Sequence, residues 1–186
     1  MTRNSDVIVA TLALGSEFDK LAKEAAQSRS FSFAQRESAN KRDERGFLRT
    51  SRRFSVSSGG EVMASIHDSL IARWMVDVVD HRALPTRASF LYYASGDYVG
   101  PHHDLAQCTY TVLVPITQPS YLHTYPEGLD GEPDEIERAF LAGELLSKPV
   151  KLASKSASVI TGQELMHSRP PGHAEAWTAV FCYSYA

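Results

Sequence analysis

From residue 86 to residue 183 the sequence is a succession of short β-prone runs, each stopped by glycine, proline or other turn residues, and this punctuation admits few folds. The candidate strands are 86–93, 99–104, 108–116, 121–125, 149–152, 156–161, 164–167 and 174–183. Eight short strands at such spacing predict two facing sheets, a jelly roll. An acidic stretch, 126–146, interrupts them, with a helical turn expected at 135–141.

The first 85 residues have a different texture. A strand is expected over 6–14, then a helix capped by Ser16 and running through 27, with Phe18, Leu21, Ala22 and Ala25 on one face. Ser58 and Glu61 have the spacing of a capping box, and Val62, Ile66, Leu70, Trp74 and Val78 recur every fourth residue through 80. That apolar stripe needs a large apolar partner, for which one face of the sheet is the natural candidate. Between the helices, residues 36–53 carry seven Lys or Arg against three acids. This stretch is expected to be a solvated loop, the alternative being a mobile lid that meets an anionic substrate. The expected organisation is therefore mainly β with flanking helices, one domain over 1–186, in which 1–85 supply a strand, helices and a basic loop and 86–186 form the jelly-roll core.

Composition excludes more than it identifies. A hydrophobic share of 43% and a charged share of 22% are ordinary for a soluble globular protein. A formal charge of −3 provides no overall basic field, and no apolar run approaches the ~20 residues of a spanning helix, so neither nucleic acid nor membrane is expected as a partner. The apolar run 7–14 has only Arg3 before it and no convincing cleavage site, and reads as a strand rather than a leader. Cys108 and Cys182 make no disulfide framework and neither has a CxxC partner, so a reducing cytoplasm is the expectation, with a single bridge between them left open. Oligomeric state is not legible.

The chemistry concentrates in Tyr93-Ala-Ser-Gly96-Asp-Tyr98-Val-Gly-Pro101-His102-His103-Asp104 and in His167, which precedes Pro170-Pro171-Gly172. Alternate side chains of a strand share a face, so His102 and Asp104 face one pocket while His103 points away unless the strand is bulged. A third donor must come from a later strand, and His167 is preferred over His123 and His173 because it ends an apolar run. Asp97 lies in the turn and Glu164 precedes His167 by an odd spacing, which leaves Asp104 as the carboxylate. Two imidazoles and one carboxylate on one side of a metal leave open positions opposite, the arrangement that suits non-haem iron(II) and dioxygen.

Tyr93-x-x-Gly96-x-Tyr98-x-x-Pro101-His102-x-Asp104, with His167 and Pro171-Gly172, resembles the 2-oxoglutarate- and iron(II)-dependent oxygenases, especially their prolyl 4-hydroxylase-like branch. The resemblance covers roughly 86–183. It implies a double-stranded β-helix, jelly-roll or cupin-like, in which His102, Asp104 and His167 hold Fe(II), Tyr93 helps to bind 2-oxoglutarate, and O2 oxidises a substrate. Tyr110 is expected to line that end of the pocket, and the compact chain points to a small molecule such as an amino acid or natural-product intermediate. A peptidyl prolyl hydroxylase, an iron oxygenase that does not use 2-oxoglutarate and a non-catalytic metal-binding jelly roll are the alternatives. One departure stands out. The family places an Arg or Lys about ten residues after the last histidine to clamp the far carboxylate of 2-oxoglutarate, and this chain has Ala176-Trp177. A hydrophobic side chain cannot replace a cation there. Arg169 shares strand parity with His167 and Arg87 with Tyr93, so both are candidates, with Arg49, Arg52 and Arg53 of the basic stretch behind them; Trp177 is divided between pocket and core.

Overall fold

A computed structural model of the chain describes residues 7–38, 40–79, 83–117 and 120–185. In chain order the elements are β1 (Ala10–Ala13), α1 (Ser16–Ser28), β2 (Phe33–Glu37), β3 (Lys41–Arg42), β4 (Leu48–Arg49), β5 (Arg52–Ser57) and α2 (Glu61–Ser65). A π-helical segment (Ile66–Ile71) leads into α3 (Ala72–Val79), followed by β6 (Ala83–Tyr93), β7 (Tyr98–His102), β8 (Tyr110–Pro115) and β9 (Tyr121–Thr124). The chain continues with α4 (Pro133–Ala142), β10 (Lys148–Lys151), β11 (Ser156–Ile160), β12 (His167–Arg169) and β13 (Ala176–Tyr185). Residue 6, where the first strand was expected to start, and residue 80, where the second helix was expected to end, lie outside the described residues.

The strands pair antiparallel in the order β1-β11-β8-β13-β6-β5-β7-β12-β9-β10. β5 pairs with both β6 and β7, and so carries the hydrogen bonding from the layer β11-β8-β13-β6 to the layer β7-β12-β9-β10. β6 passes to β7 through a tight turn in which Gly96 has φ 80° and the Asp97 carboxylate accepts the Ala94 N–H at 2.9 Å. The result is the expected double-stranded β-helix. The helices lie against the outer face of the first layer, where Leu21, Met63, Ile66, Ile71 and Met75 pack on Phe90, Val112, Val114, Val159, Ala179 and Phe181. Thr111 and Leu113, of opposite parity on β8, face the interior instead.

The local expectations need five corrections. The strand expected at 164–167 is instead β12, His167–Arg169, preceded by a turn. Ser16 is the first helical residue, after Gly15 at φ 56°, rather than a cap. The Ser58–Glu61 capping box does not form; Gly60 precedes α2, and the Glu24 carboxylate of α1 accepts the Val62 and Met63 N–H groups at 2.9 Å each. A Cβ on Gly60 would lie 2.8 Å from Glu24 Oε1, so glycine is what admits this tertiary cap. The basic stretch is no loop: β2 pairs with β5 over Phe33–Glu37, and β4 pairs with β7 at Arg49 and His102. The helical turn expected at 135–141 is the ten-residue α4, started by Pro133 and stopped by Gly143 in the left-handed region.

The helical stripe also carries a polar insertion. Tyr183 Oη donates to the His67 carbonyl at 2.7 Å, and His67 Nε2 lies 3.1 Å from the Cys182 carbonyl, to which it donates. These two hydrogen bonds tie the π-helical turn to β13. Cys108 and Cys182 are joined in a disulfide, the possibility the sequence left open.

Candidate metal centre

β7 ends on His102, Asp104 follows two residues on, and β12 opens on His167, the cross-strand partner of His102. Ligand atoms of His102, Asp104 and His167 lie within 4.8 Å of one another, the one cluster of metal-ligating type among the described residues. Each imidazole is held by the backbone carbonyl two residues before it. His102 Nδ1 donates to the Gly100 carbonyl at 2.9 Å and His167 Nδ1 to the Leu165 carbonyl at 2.8 Å. With the proton on Nδ1, each Nε2 keeps its lone pair and faces inward, 3.4 Å (His102) and 3.8 Å (His167) from Asp104 Oδ1.

Asp104 is fixed with equal economy. Its N–H donates to the Gly162 carbonyl at 2.9 Å, and Thr111 Oγ1 donates to Oδ2 at 2.5 Å, which leaves Oδ1 to face the histidines. A Cβ on Gly162 would lie 2.1 Å from Oδ2, so only glycine fits behind the carboxylate. Burial alone would raise the Asp104 pKa, but His167, His102 and the Thr111 hydrogen bond hold it well below the usual carboxylate range. Burial, with His102 alongside, pulls His167 down to about 4. A neutral, deprotonated Nε2 beside an ionised carboxylate is the donor state a divalent cation requires. The donor set fits iron(II): three hard-to-borderline N and O donors, no thiolate, and open space on the cavity side.

The triad stands on the wall of a cavity of about 180 Å³ between the layers. Tyr93, Arg87 and Arg169 line it, as do Arg49 and Arg52 of the basic stretch. The Arg169 guanidinium lies 4.2 Å over the Tyr93 ring and donates to Ser120 Oγ. Burial pulls its pKa below the ordinary arginine value and pushes the Tyr93 phenol up to about 12, so Tyr93 stays a neutral hydroxyl.

Other candidates fall elsewhere. Tyr110 does not reach the cavity: it shares the helix-facing side of β8 with Val112 and Val114, and its hydroxyl lies 3.1 Å from that of Tyr185. The residue of that strand that reaches the site is its neighbour Thr111. Trp177 packs outward, with Arg29 5.1 Å over its ring and its Nε1–H donating to Glu175. His103 borders the cavity but turns its ring toward β4, accepting the Leu48 N–H on Nδ1 at 3.2 Å and stacking on Phe47. His123 lies 2.8 Å from Ser147 Oγ, His173 is exposed, and Asp97 pairs with Arg53 at 3.1 Å. Glu164 sits in the turn before β12, where its N–H donates to the Thr161 carbonyl. Sequence reading missed Thr111 and Gly162, although their strand parity and the glycine itself were signals available to it.

No protein-family model and no curated protein matches the chain. Solved structures do. A Pseudomonas putida prolyl-4-hydroxylase superposes with a TM-score of 0.63 at 11% identity, over 95% of this chain and 92% of that one. HygX from Streptomyces hygroscopicus, with nickel, 2-oxoglutarate and hygromycin B bound, gives 0.64 at 14% identity, over 100% of this chain and 88% of that one. A Trichoplax adhaerens prolyl hydroxylase, in complex with a hypoxia inducible factor peptide fragment, gives 0.62 at 15%, over 98% and 85%. The fold is that of these oxygenases.

Proposed function

We propose that the chain is a non-haem iron(II) oxygenase that uses 2-oxoglutarate and O2 to hydroxylate or otherwise oxidise a small molecule. The observation that carries this reading is the convergence of two tautomer-locked imidazoles and one carboxylate oxygen on the cavity wall. The shared fold supports it. His102, Asp104 and His167 would hold the metal, which when bound supplies the redox chemistry of O2 activation paired with oxidation of a 2-oxo acid.

The protein's own contribution is positional. Nδ1 donation to the Gly100 and Leu165 carbonyls orients the two imidazoles, and Thr111 turns one oxygen of Asp104 to the site. We assign Arg169 as the cation that replaces the one missing from β13. It lies one inward step beyond His167 on β12, an advance of about 7 Å at a strand's rise per residue, a span that suits the two ends of a five-carbon diacid. Its guanidinium forms no ion pair among the described residues, and the Tyr93 ring holds it in place. The leucine and valine wall formed by Leu91, Leu113, Leu122 and Val180 keeps the pocket poor in water.

Anaerobic addition of iron(II) and then 2-oxoglutarate tests the assignment: a visible charge-transfer band is expected, and His102→Ala, Asp104→Ala and His167→Ala should each abolish it. Arg169→Gln should raise half-saturation by 2-oxoglutarate about 10–100-fold, the worth of a hydrogen-bonded charge pair. The absence of a cation from β13 favours one second reading, an iron oxygenase whose substrate ligates the metal without 2-oxoglutarate. Succinate released in step with product excludes it.

A further inference from the structure

Among the described residues, four arginines line the cavity, Arg49, Arg52, Arg87 and Arg169, against a single acid, Asp104. The chain as a whole is acidic, so this is a local concentration of positive charge. Two of the four are accounted for. Arg169 lies at the inner end, and Arg52 is held by Glu37, with Nε donating to Oε2 at 2.6 Å. Arg49 and Arg87 form no ion pair among the described residues.

Strand register places both level with the metal donors. Arg49 is the cross-strand partner of His102, and directly paired residues project to the same face about 5 Å apart. Its strand is clamped. His103 N–H donates to the Leu48 carbonyl at 3.0 Å, Thr50 Oγ1 to the Pro101 carbonyl at 3.0 Å, and Gly100 N–H to the Ser51 carbonyl at 3.0 Å. In the other layer Arg87 pairs with Cys182, and Cys182 with Thr111, the residue that orients Asp104. The two guanidinium-bearing positions thus flank the metal row from opposite sheets, and both line the cavity.

We propose that Arg49 and Arg87 form an oxyanion subsite for the primary substrate, which is therefore an organic acid or a phosphate ester rather than a neutral or cationic compound. A cavity of one sign of charge with low-dielectric walls concentrates ligands of the other sign, and guanidinium groups match carboxylate and phosphate geometry. The proposal rests on the oxygenase reading for the identity of the pocket.

The test is calorimetric titration of the nickel-loaded protein, with 2-oxoglutarate saturating so that the Arg169 end is filled. The probes are inorganic phosphate, butyrate and, as a neutral control, butyramide. Saturable binding of at least one anion is expected, with no binding of butyramide. Arg49→Gln and Arg87→Gln should each weaken it tenfold or more, while Arg53→Gln, outside the cavity wall, leaves it unchanged. The stronger of the two anions identifies the substrate's acidic group. Failure of both anions to bind, equal binding of butyramide, wild-type affinity in both variants, or an equal loss in Arg53→Gln would overturn the subsite. Binding of 2-oxoglutarate is read in a separate titration: if it fails, the co-substrate reading falls, and the same anion series without 2-oxoglutarate still decides the subsite.

Discussion

A row of metal donors set by strand alternation is insensitive to the packing around it, because parity alone decides which face a side chain takes. His102 and Asp104 share a face by alternation, and His167 meets His102 across two strands. What parity on a single strand does not reveal is how a carboxylate is aimed, since Thr111 and Gly162 reach Asp104 from β8 and from the turn after β11. The same limit misplaced Tyr110, whose side of β8 is fixed by the helices covering Val112 and Val114. Because Thr111 ties down Oδ2, Thr111→Val should release the carboxylate to rotate and weaken metal binding about 10–100-fold, whereas Thr111→Ser should stay near wild type. Titration with cobalt(II), followed by absorbance, separates the two. Equal affinity in all three proteins would show that Asp104 is positioned by its backbone alone.

At the scale of elements, seven of the eight β runs of the second half were readable, as were β1, α1 and the helical stripe of the first half; the strands of the basic stretch were not. Charged residues dominate 36–53 and mask the short alternation of Phe54 and Val56, and the strands form because partners are at hand: β6 and β7 for β5, β7 for β4, and β5 in turn for β2. The cap of α2 was invisible for a similar reason, since its acceptor, Glu24, belongs to another helix. Glu24→Ala should cost about 0.5–2 kcal/mol, the usual worth of an N-terminal cap, seen as a lower denaturant midpoint with an unchanged slope. The π-helical segment gives a second expectation. Burial, opposed only in part by the Cys182 hydrogen bond and Asp68, holds the His67 pKa below its usual 6.5, so the folded protein keeps this ring neutral. The unfolded chain protonates it near 6.5, so its contribution to stability is complete above that pH and is lost as pH falls through 6.5 toward the depressed folded value. Denaturant midpoints at pH 7.5 and 5.5 should therefore separate more in the wild type than in His67→Gln, in which an amide N–H replaces the imidazole donor. Equal separations would remove His67 from the acid sensitivity.

Across the whole molecule one covalent link ties together two neighbouring strands of the cavity wall. Cys108 precedes β8 and Cys182 lies on β13, 74 residues apart, with Cα atoms 4.6 Å apart. Sequence spacing gave no hint of the pairing, because closure of the barrel, rather than any local motif, brings the two strands together. Both cysteines line the cavity, and Cys182 stands between Thr111 and Arg87 in the register of the first layer. A bridge closing a loop of this length stabilises chiefly by restricting the unfolded chain, by about 4 kcal/mol in the entropic limit. Reduction should therefore lower the denaturant midpoint, and the Cys108→Ser, Cys182→Ser double variant should unfold at the midpoint of the reduced wild type whether or not reductant is present. Metal affinity should change much less. The histidines are oriented by the Gly100 and Leu165 carbonyls and Asp104 by Gly162 and Thr111, none of which the bridge supplies. Cobalt(II) titration of the reduced protein decides between two roles for the link: affinity within threefold of the oxidised protein makes the bridge a constraint on folding, while a loss of tenfold or more makes it part of the frame of the metal site.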